Sequence, residues 1–254
     1  MATTTGFHAE QYAEAYPPGA EDTYWHIARN RILARHILAA YPSRVLDVGC
    51  GRGILVEYLV RRGVDCYGVE LAEVTVPEGL HGRIFAGTPA QNMPAQLRAS
   101  IDVMVLGDVI EHLEKPVEFL RSLIAAFPVA KTVIITVPAR PELWSNYDEH
   151  YGHFRRYTLD SLREIVEQAG LGVKHLSHMF RLLYVPAWLV LRLRGKRATR
   201  FEASGARWMH CLLAAAIEAE YLVLPSCIYG TSAICRADVP SQSRAFSFPP
   251  KPQH

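Results

Sequence analysis

Ten consecutive residues, 148–157, read DEHYGHFRRY and contain two histidines, two arginines, two tyrosines and two acids. No apolar period runs through them, so burial in a core does not by itself explain this composition. Because imidazole has a pKa of about 6.5, His150 and His153 are candidates for removing a proton from a nucleophile at neutral pH. The forked guanidinium groups of Arg155 and Arg156 suit an anionic partner such as a carboxylate or a phosphate.

These residues belong to a longer connection, residues 139–157, which we call the lid loop. A loop of about 20 residues without a clear element is often functional in a compact domain. Four of its aromatic side chains are expected to wall a binding pocket: Trp144, Tyr147, Tyr151 and Phe154. The structural alternative is that the loop only holds itself together, with Arg155 bound to Glu149 or to a backbone carbonyl and Tyr157 packed on the next helix.

The elements around the lid loop alternate between strands and helices. Short apolar runs indicate buried strands, and apolar residues at helical spacing indicate helices. The predicted strands are 44–49, 65–71, 82–87, 101–108, 131–138, 172–177 and 229–237. The predicted helices are 24–38, 54–63, 116–127 and 158–170, the last with Thr158 as N-cap. This order predicts an α/β fold with a doubly wound, Rossmann-like, parallel sheet of seven strands and helices on both faces.

The same pattern suggests a division of the chain. We expect an N-terminal helical cap at 1–43, a Rossmann-like core at 44–178 and the last strand of that core at 229–237. About 50 residues separate the last two strands, far more than a turn requires, so 179–228 is predicted to be a helical lobe with helices near 180–194 and 205–224. The segment 238–254 is rich in proline and serine and is predicted to be disordered.

A glycine-rich turn links the first strand to the next helix. Gly49, Gly51 and Gly53 place backbone N–H groups at the carboxyl edge of the sheet, where open α/β folds bind ligands. A dinucleotide fingerprint needs its third glycine where this chain has Ile54. Asp47 is moreover a poor neighbour for a pyrophosphate and suits a cationic ligand.

The second strand ends at Glu70, whose carboxylate can accept hydrogen bonds from both hydroxyls of a ribose. A ligand with a ribose, a positive charge and no phosphate matches both Glu70 and Asp47. S-adenosylmethionine is such a molecule.

Four segments, VLDVGCGRG, YGVEL, IDVMVLGDVIEHLEKP and VIITVP, resemble in order the motifs of class I S-adenosylmethionine-dependent methyltransferases. The resemblance covers about 40–178 and 229–237, and GHFRRY is similar to a lid segment of a subgroup associated with sugar, polysaccharide or quinone biosynthesis. It implies S-adenosylmethionine as cofactor and the following binding residues: Asp47, Gly49, Cys50, Gly51, Gly53, Glu70, Leu71, Thr88, Gln91, Asp108 and Val109. The acid that many members place near the adenine is not evident, and Thr88 and Gln91 stand in its place.

The motif after the fourth strand, GDVIEHLEKP, brings Asp108, Glu111 and His112 close together. It is similar to the motif of ubiquinone-biosynthesis O-methyltransferases. This resemblance implies a divalent metal in some members. Three interpretations are open: local structure, a substrate-contacting or basic His112, and a Mg²⁺ site. We predict no bound metal and keep His112 as a third candidate base.

The helix at 24–38 carries Trp25, His26 and Arg29 near its start. We expect Trp25 and His26 to contact a substrate from the side opposite the lid loop. The alternative is that this helix only packs on the sheet edge.

Bulk properties bound the setting of the chain. A formal charge of +2 over 254 residues does not favour nucleic acid as a partner, and five cysteines without a C-x-x-C pair fit a reduced, cytoplasmic compartment. The first residues lack the pattern of a signal peptide. Apolar residues mixed with clustered cations at 180–200 suggest peripheral membrane contact, and 205–224 could form a homodimer interface.

Together these features predict methyl transfer to an oxygen atom of a small-molecule, sugar or lipid-linked acceptor. An N-, C- or S-methyltransferase of a natural-product pathway is the first alternative. The second is a non-catalytic subunit that binds S-adenosylmethionine.

Overall fold

The computed structural model describes residue 14 and residues 17–197 and 205–240. Its centre is one seven-stranded sheet in the order β3-β2-β1-β4-β5-β7-β6. The strands are β1 Val45–Val48, β2 Cys66–Val69, β3 Ile84–Phe85, β4 Val103–Gly107, β5 Thr132–Pro138, β6 Gly172–Met179 and β7 Ser232–Asp238. Chain order reverses between β1 and β4, so a crevice opens at their carboxyl ends.

The predicted seven-stranded Rossmann-like sheet is confirmed, but its last strand runs the other way. β7 pairs antiparallel with both β5 and β6, whereas β1, β2, β3, β4 and β5 pair in parallel. The expectation of an all-parallel sheet was therefore wrong at this strand. A run of apolar residues indicates burial and not direction, which explains why the pattern could not reveal it.

Eight helices surround the sheet in the described ranges: α1 Tyr24–Leu38, α2 Ile54–Val60, α3 Ala95–Arg98, α4 Pro116–Ala126, α5 Asn146–His150, α6 Leu159–Gln168, α7 Tyr184–Arg194 and α8 Arg207–Val223. The bounds of α1 agree with the prediction. Thr158 is the N-cap of α6, and its side chain accepts a hydrogen bond from the Ser161 N–H. Helix α5 lies inside the lid loop, where no element was predicted.

Neighbouring residues of each strand point to opposite faces of the sheet, and both faces are buried under helices. Leu106 and Ile135 pack with Leu120 of α4 on one face. Val105 and Ile134 pack with α1, α2 and α8 on the other. Strands buried on both faces read as continuous apolar runs, which is why they were predictable.

The region between β6 and β7 contains one helix that joins the core and one that does not. Helix α8 lies along α1, where Glu218 pairs with Arg31 at 3.3 Å and with Arg35 at 2.9 Å. All eleven residues of α7 are at least partly exposed. Within the described ranges, none of the helices has the length and hydropathy needed to cross a bilayer.

The division into cap, core and lobe remains a prediction. The predicted disordered tail at 238–254 begins too early, because Asp238 is the last residue of β7. Residues 241–254, most of 1–16 and the basic segment 198–204 lie outside the described residues.

Candidate active site

The glycine turn after β1 is pressed against the turn after β4. Gly49 has φ +73°, and a Cβ at this position would lie 2.7 Å from Val109 Cγ2. A side chain would therefore face both backbone strain and a clash. The turn is held from the other side by β2, because the N–H groups of Gly49 and Cys50 donate to the Val69 carbonyl at 2.8 and 3.1 Å.

Glu70 stands at the edge of this turn and is 5% exposed. One carboxylate oxygen accepts from the Gly51 N–H and the other from the Ala72 N–H, each at 3.0 Å. These two bonds fix the orientation of the carboxylate and leave lone pairs for a sugar diol. The close-fitting cradle at Gly49 and the fixed Glu70 fit the ribose and methionine ends of S-adenosylmethionine.

Asp47 supplies the charge that such a cation requires. Burial raises its pKa to about 7; Arg29 opposes this shift, and Glu70 and Asp108 add to it. Arg29 reaches into the crevice from α1, and its Nε lies 3.0 Å from Asp108 Oδ2. A cationic ligand beside Asp47 would stabilise the ionised carboxylate.

Asp108 lies at the end of β4 in the left-handed region, with φ +60°. Its N–H donates to the Thr136 carbonyl at 2.9 Å, which ties the turn to β5. A residue other than glycine in this conformation costs about 1–2 kcal/mol and is typical of functional sites. This conformation of Asp108 directs the chain so that Val109 lies against the glycine turn.

The remaining predicted cofactor contacts lie around this crevice. The Thr88 N–H donates to the Glu70 carbonyl at 3.0 Å, and Leu71 is partly exposed beside it. The Gln91 amide donates to Ser122 Oγ at 3.0 Å, so this group is used by α4, and a contact with adenine stays a prediction. Cys50 is buried and directs its Sγ toward Gly68, which leaves only its backbone for the turn.

The lid loop is organised around Asp148, whose side chain is fully buried. Ser145 caps α5, and Asp148 Oδ2 accepts from the Ser145 N–H at 3.0 Å in a capping box. Asp148 Oδ1 lies 2.9 Å from His153 Nδ1 and accepts from Arg156 Nε at 2.8 Å. Burial alone would raise the pKa of Asp148, but His153 and Arg156 lower it below its usual range.

The two predicted anion-binding arginines are used to build the loop. Arg156 is 8% exposed, and its second donor reaches the Ala139 carbonyl at 3.0 Å. Arg155 donates to the carbonyls of Leu113 and Glu114 at 3.3 and 2.8 Å. Both guanidinium groups thus have a structural task in the loop, and their predicted contact with an acceptor stays a prediction.

The lid loop docks on the 3-10 turn Ile110–His112 that follows β4. The Phe154 N–H donates to the Glu111 carbonyl at 2.8 Å, and Tyr157 donates to the Ile110 carbonyl at 3.0 Å. The rings of His112 and His153 consequently meet edge to face, with centroids 4.7 Å apart. Two of the three predicted catalytic histidines, which are 41 positions apart in the sequence, therefore lie next to each other.

A three-residue cluster forms where loop and turn meet: one ligand atom from each of Glu111, His112 and His153 lies within 4.8 Å of the others. Burial, and then the nearby His153, lower the pKa of His112 to about 3, so its ring is neutral. Burial, with Asp108 adding to it, raises the pKa of Glu111 well above its usual range. Among the described residues, the buried Glu111 Oε2 has no hydrogen-bond partner.

Asp148 sets the tautomer of His153. A carboxylate can only accept here, so Nδ1 carries the hydrogen that faces Asp148 and Nε2 is left for the cluster. The cluster therefore offers two imidazole rings and one carboxyl, groups that can accept a proton or bind a divalent metal such as Zn²⁺ or Mn²⁺. Asp148 was not among the predicted site residues; the S-x-x-D spacing from Ser145 was the signal for it.

The third histidine and the predicted aromatic residues belong to the same lid loop. His150 Nε2 is 2.8 Å from Glu14 Oε2. The rings of Tyr147 and Tyr151 are tilted against each other with centroids 4.6 Å apart, and burial raises the pKa of Tyr147. Trp144 is 38% exposed.

At the start of α1, Trp25 stacks on Phe180 with centroids 5.9 Å apart. His26 is buried, and burial followed by Arg29 lowers its pKa to about 3. His26 thus packs in the interior and Trp25 is partly buried, and their predicted contact with substrate stays a prediction.

Comparison with known proteins agrees with this geometry. A family model described as a methyltransferase domain matches residues 24–176, more than half of the chain. The solved structure of a SAM-dependent methyltransferase from Archaeoglobus fulgidus is 18% identical with a TM-score of 0.52, covering 91% of this chain and 100% of that one. The 1,6-didemethyltoxoflavin-N1-methyltransferase of Burkholderia thailandensis, solved with its substrate and S-adenosylhomocysteine, is 17% identical with a TM-score of 0.55, covering 91% and 84%. At these identities the likeness shows the fold.

Curated relatives match shorter stretches. The ubiquinone biosynthesis O-methyltransferase of Acinetobacter baumannii (strain AYE) is 30% identical over 88 residues, which are 32% of this chain and 37% of that protein. The protein of the same name from Roseobacter denitrificans is 25% identical over 157 residues, 50% of this chain and 59% of that protein. The chain thus spans less than two thirds of the length of each of these relatives.

Proposed function

The chain belongs to the methyltransferase-domain family, and on this premise we propose that it moves a methyl group from S-adenosylmethionine to an oxygen atom of a small-molecule, sugar or lipid-linked acceptor. The observation that carries the proposal is the hydrogen bond between Asp148 and His153, made beside the crevice where the cofactor fits. The name of the curated relatives, ubiquinone biosynthesis O-methyltransferase, supports oxygen as the acceptor atom.

The cofactor lies over the glycine turn in this proposal. Glu70 accepts hydrogen bonds from the two ribose hydroxyls, and Asp47 faces the positive charge at the methionine end. Val109 and the Gly49 backbone fix the distance between the β1 and β4 turns. The role of these residues is to orient the sulfonium methyl toward the lid loop.

The transfer is an in-line displacement. The acceptor oxygen forms a bond to the methyl carbon, the carbon–sulfur bond breaks, and S-adenosylhomocysteine leaves with the electron pair. His153 Nε2 takes the proton of the hydroxyl, and Asp148 stabilises the resulting imidazolium through Nδ1. The docked lid loop excludes water and holds the oxygen about 3 Å from the methyl group.

A methyl-transfer assay with a panel of catechols, sugars and amines tests this proposal. We expect methylated hydroxyl products, and we expect His153→Ala to lower kcat by about 10²–10⁴-fold while the affinity for the cofactor is unchanged. Methylation of amines or thiols alone would favour the other acceptor atoms. Cofactor binding without any product across acceptors would favour the non-catalytic subunit.

The unpartnered Glu111 Oε2 favours a second candidate for activating the hydroxyl. Glu111, His112 and His153 would hold a divalent metal, with Asp148 orienting His153 as an outer-shell carboxylate. When bound, such a metal supplies Lewis acidity that lowers the pKa of a coordinated hydroxyl.

Titration with Co²⁺ separates the two candidates, because cobalt bound to nitrogen and oxygen ligands absorbs visible light. If the cluster binds metal, we expect an absorption band to appear on titration with cobalt. We expect Glu111→Gln to lower the affinity for cobalt about 10–100-fold. The exposed neighbour Glu114→Gln is the matched control. A spectrum that does not change with cobalt, together with full activity in chelator, leaves His153 as the base.

A further inference from the structure

Helix α7 carries apolar side chains that the rest of the described structure does not cover. Leu193 is 82% exposed, Val185 58% and Leu189 44%. A helix of a globular protein ordinarily buries one apolar stripe against a core. Helix α8 also exposes apolar side chains, with Leu212 at 63% and Val223 at 79%, but it buries Ala214 and Ile217 in the core.

The exposed apolar residues form a stripe. Val185, Leu189 and Leu193 follow one another at intervals of four residues, which places them on one side of the helix, and the exposed Leu182 precedes them in the 3-10 turn Arg181–Leu183. Arg192 and Arg194 flank the last of them, and Lys196 follows. The range 181–197 contains no aspartate or glutamate. An apolar stripe with only cationic neighbours is the pattern of a helix that lies in a membrane interface.

Both ends of α7 are bound to the lid loop. At the start, Tyr184 donates to Glu142 Oε1 at 2.8 Å. Beyond the end, the Arg197 N–H donates to Asn146 Oδ1 at 2.8 Å, and the Asn146 amide donates to the Arg197 carbonyl at 3.0 Å. Asn146 is the first residue of α5, two positions before Asp148.

A groove of about 260 Å³ separates α7 from the lid loop. Trp144 of the loop and Trp188 of the helix line it, and Arg192 lies at the same groove. It runs along the side of α7 next to the apolar stripe, because Trp188 and Leu189 are neighbours in the helix.

The geometry points to α7 as an interfacial helix that binds an anionic lipid bilayer through this apolar stripe and its flanking cations. Insertion covers the apolar residues, and Arg192, Arg194 and Lys196 meet the phosphate groups. A second copy of the chain fits the surface less well. A two-fold interface would bring the cations of both copies to one contact, with no acid in 181–197 to offset them.

Bilayer contact also gives the groove a role. A lipid-linked acceptor would leave the bilayer at α7 and pass between Trp188 and Trp144 to the lid loop. This route rests on the proposed function, whereas the binding of the bilayer does not.

Flotation of the full chain with vesicles tests the inference. We expect it to float with phosphatidylcholine vesicles that contain about 30% phosphatidylglycerol, and to bind pure phosphatidylcholine at least about tenfold more weakly, since each cation near an anionic surface contributes roughly fivefold. Leu189→Glu/Leu193→Glu should abolish flotation. Val129→Glu, at a side chain 41% exposed near β5, should not.

A second pair of variants guards against misfolding of the first. Arg192→Glu/Arg194→Glu changes only exposed charges and should remove the preference for anionic vesicles, whereas Arg61→Glu/Arg62→Glu on another surface should keep it. Melting temperature and S-adenosylmethionine affinity are measured for every variant and should not change. Unchanged affinity with lost flotation supports the inference even if no methylated product is ever found.

Two outcomes would overturn the inference. One is that the wild-type chain stays in the dense fraction with both vesicle types. This outcome counts against the inference whether the chain is a monomer in sedimentation velocity or a dimer that Leu189→Glu/Leu193→Glu dissociates. The other is equal binding to neutral and anionic vesicles.

Discussion

The proposed cofactor side of the site (Asp47, Gly49–Gly53 and Glu70) is built by backbone at strand ends, whereas the proposed acceptor side (Glu111, His112, Asp148 and His153) is built by side chains of one loop and one turn. Glu70 is held by two N–H groups at 3.0 Å from residues 19 and two positions away. His153 is held by Asp148, which in turn needs Arg156 and Ser145.

This difference has a consequence for how the two sides respond to change. The strands that present Glu70 and Asp47 are held by the whole sheet, so one substitution should change affinity without moving the backbone. The lid loop depends on one buried carboxylate, Asp148, which has four hydrogen bonds to Ser145, His153 and Arg156. A substitution at one of these residues should therefore disturb the others. The predictions below test this contrast.

The largest expected effect is that of Asp148→Ala. It leaves the Arg156 guanidinium, 3% exposed, without its buried counter-charge, which should cost about 3–5 kcal/mol of unfolding free energy in urea denaturation. Methyl transfer should fall with it, because His153 loses its orientation.

The neighbouring Glu149→Ala is the matched control, since this side chain is exposed, and we expect a change within about 0.5 kcal/mol. At temperatures where Asp148→Ala is folded, cofactor affinity should stay within about threefold of wild type, a change below 1 kcal/mol. Equal losses of cofactor binding and methyl transfer would remove the distinction between the two sides.

Next in size is Glu70→Gln. The substitution keeps the shape of the side chain but points an NH₂ group at either the Gly51 or the Ala72 N–H. We expect S-adenosylmethionine to bind about 30–100-fold more weakly in calorimetry, corresponding to about 2–3 kcal/mol for hydrogen bonds to a charged group.

The control is Glu78→Gln, an exposed glutamate that follows the same strand, which should bind like wild type. Unfolding free energy should fall by about 1–3 kcal/mol for Glu70→Gln, because one buried N–H loses its acceptor, and should change little for Glu78→Gln. If Glu70→Gln bound the cofactor normally, the assignment of Glu70 to the ribose would be wrong.

The third prediction concerns pH. Burial raises the pKa of Asp47 to about 7, so in the free protein this carboxyl is protonated below that pH. A cationic cofactor favours the carboxylate, so binding releases a proton, and affinity should fall as pH falls through 7, by up to about tenfold per unit. Calorimetry between about pH 5.5 and 8.5 would show this slope. Asp47→Asn should bind weakly at all pH values, and a flat profile for the wild type would contradict the assignment.

The smallest expected effect separates the two histidines of the lid loop. His150 pairs with Glu14 at a partly exposed position, so His150→Ala should cost no more than about 1 kcal/mol of stability. Turnover should stay within about twofold of wild type, since His153 rather than His150 faces the cluster. Steady-state kinetics of His150→Ala and His153→Ala measures this difference. A greater loss from His150→Ala would transfer the role of base to it.

The contrast between the two sides also explains what the sequence could reveal. Apolar runs and the glycine spacing of 49, 51 and 53 are local patterns, and they were sufficient for the strands, the turn and Glu70. Helix α1 was predicted at 24–38 for the same reason. The direction of β7 depends on its partners and left no trace in its own residues.

The acceptor side was only partly predictable. The composition of 148–157 indicated function, and His112 and His153 were both candidates. Helix α5 spans only Asn146–His150 and is too short for a helical period, so its capping box was overlooked. Arg156 was expected to bind an acceptor because nothing in the sequence shows that Asp148, eight residues earlier, would be buried beside it.

The most direct test of the account is a crystal structure of the chain with S-adenosylhomocysteine. The account predicts both ribose hydroxyls within about 3 Å of the Glu70 carboxylate and the sulfur facing the side of the crevice where His153 meets His112. A nucleoside bound elsewhere, or with its ribose turned away from Glu70, would contradict it.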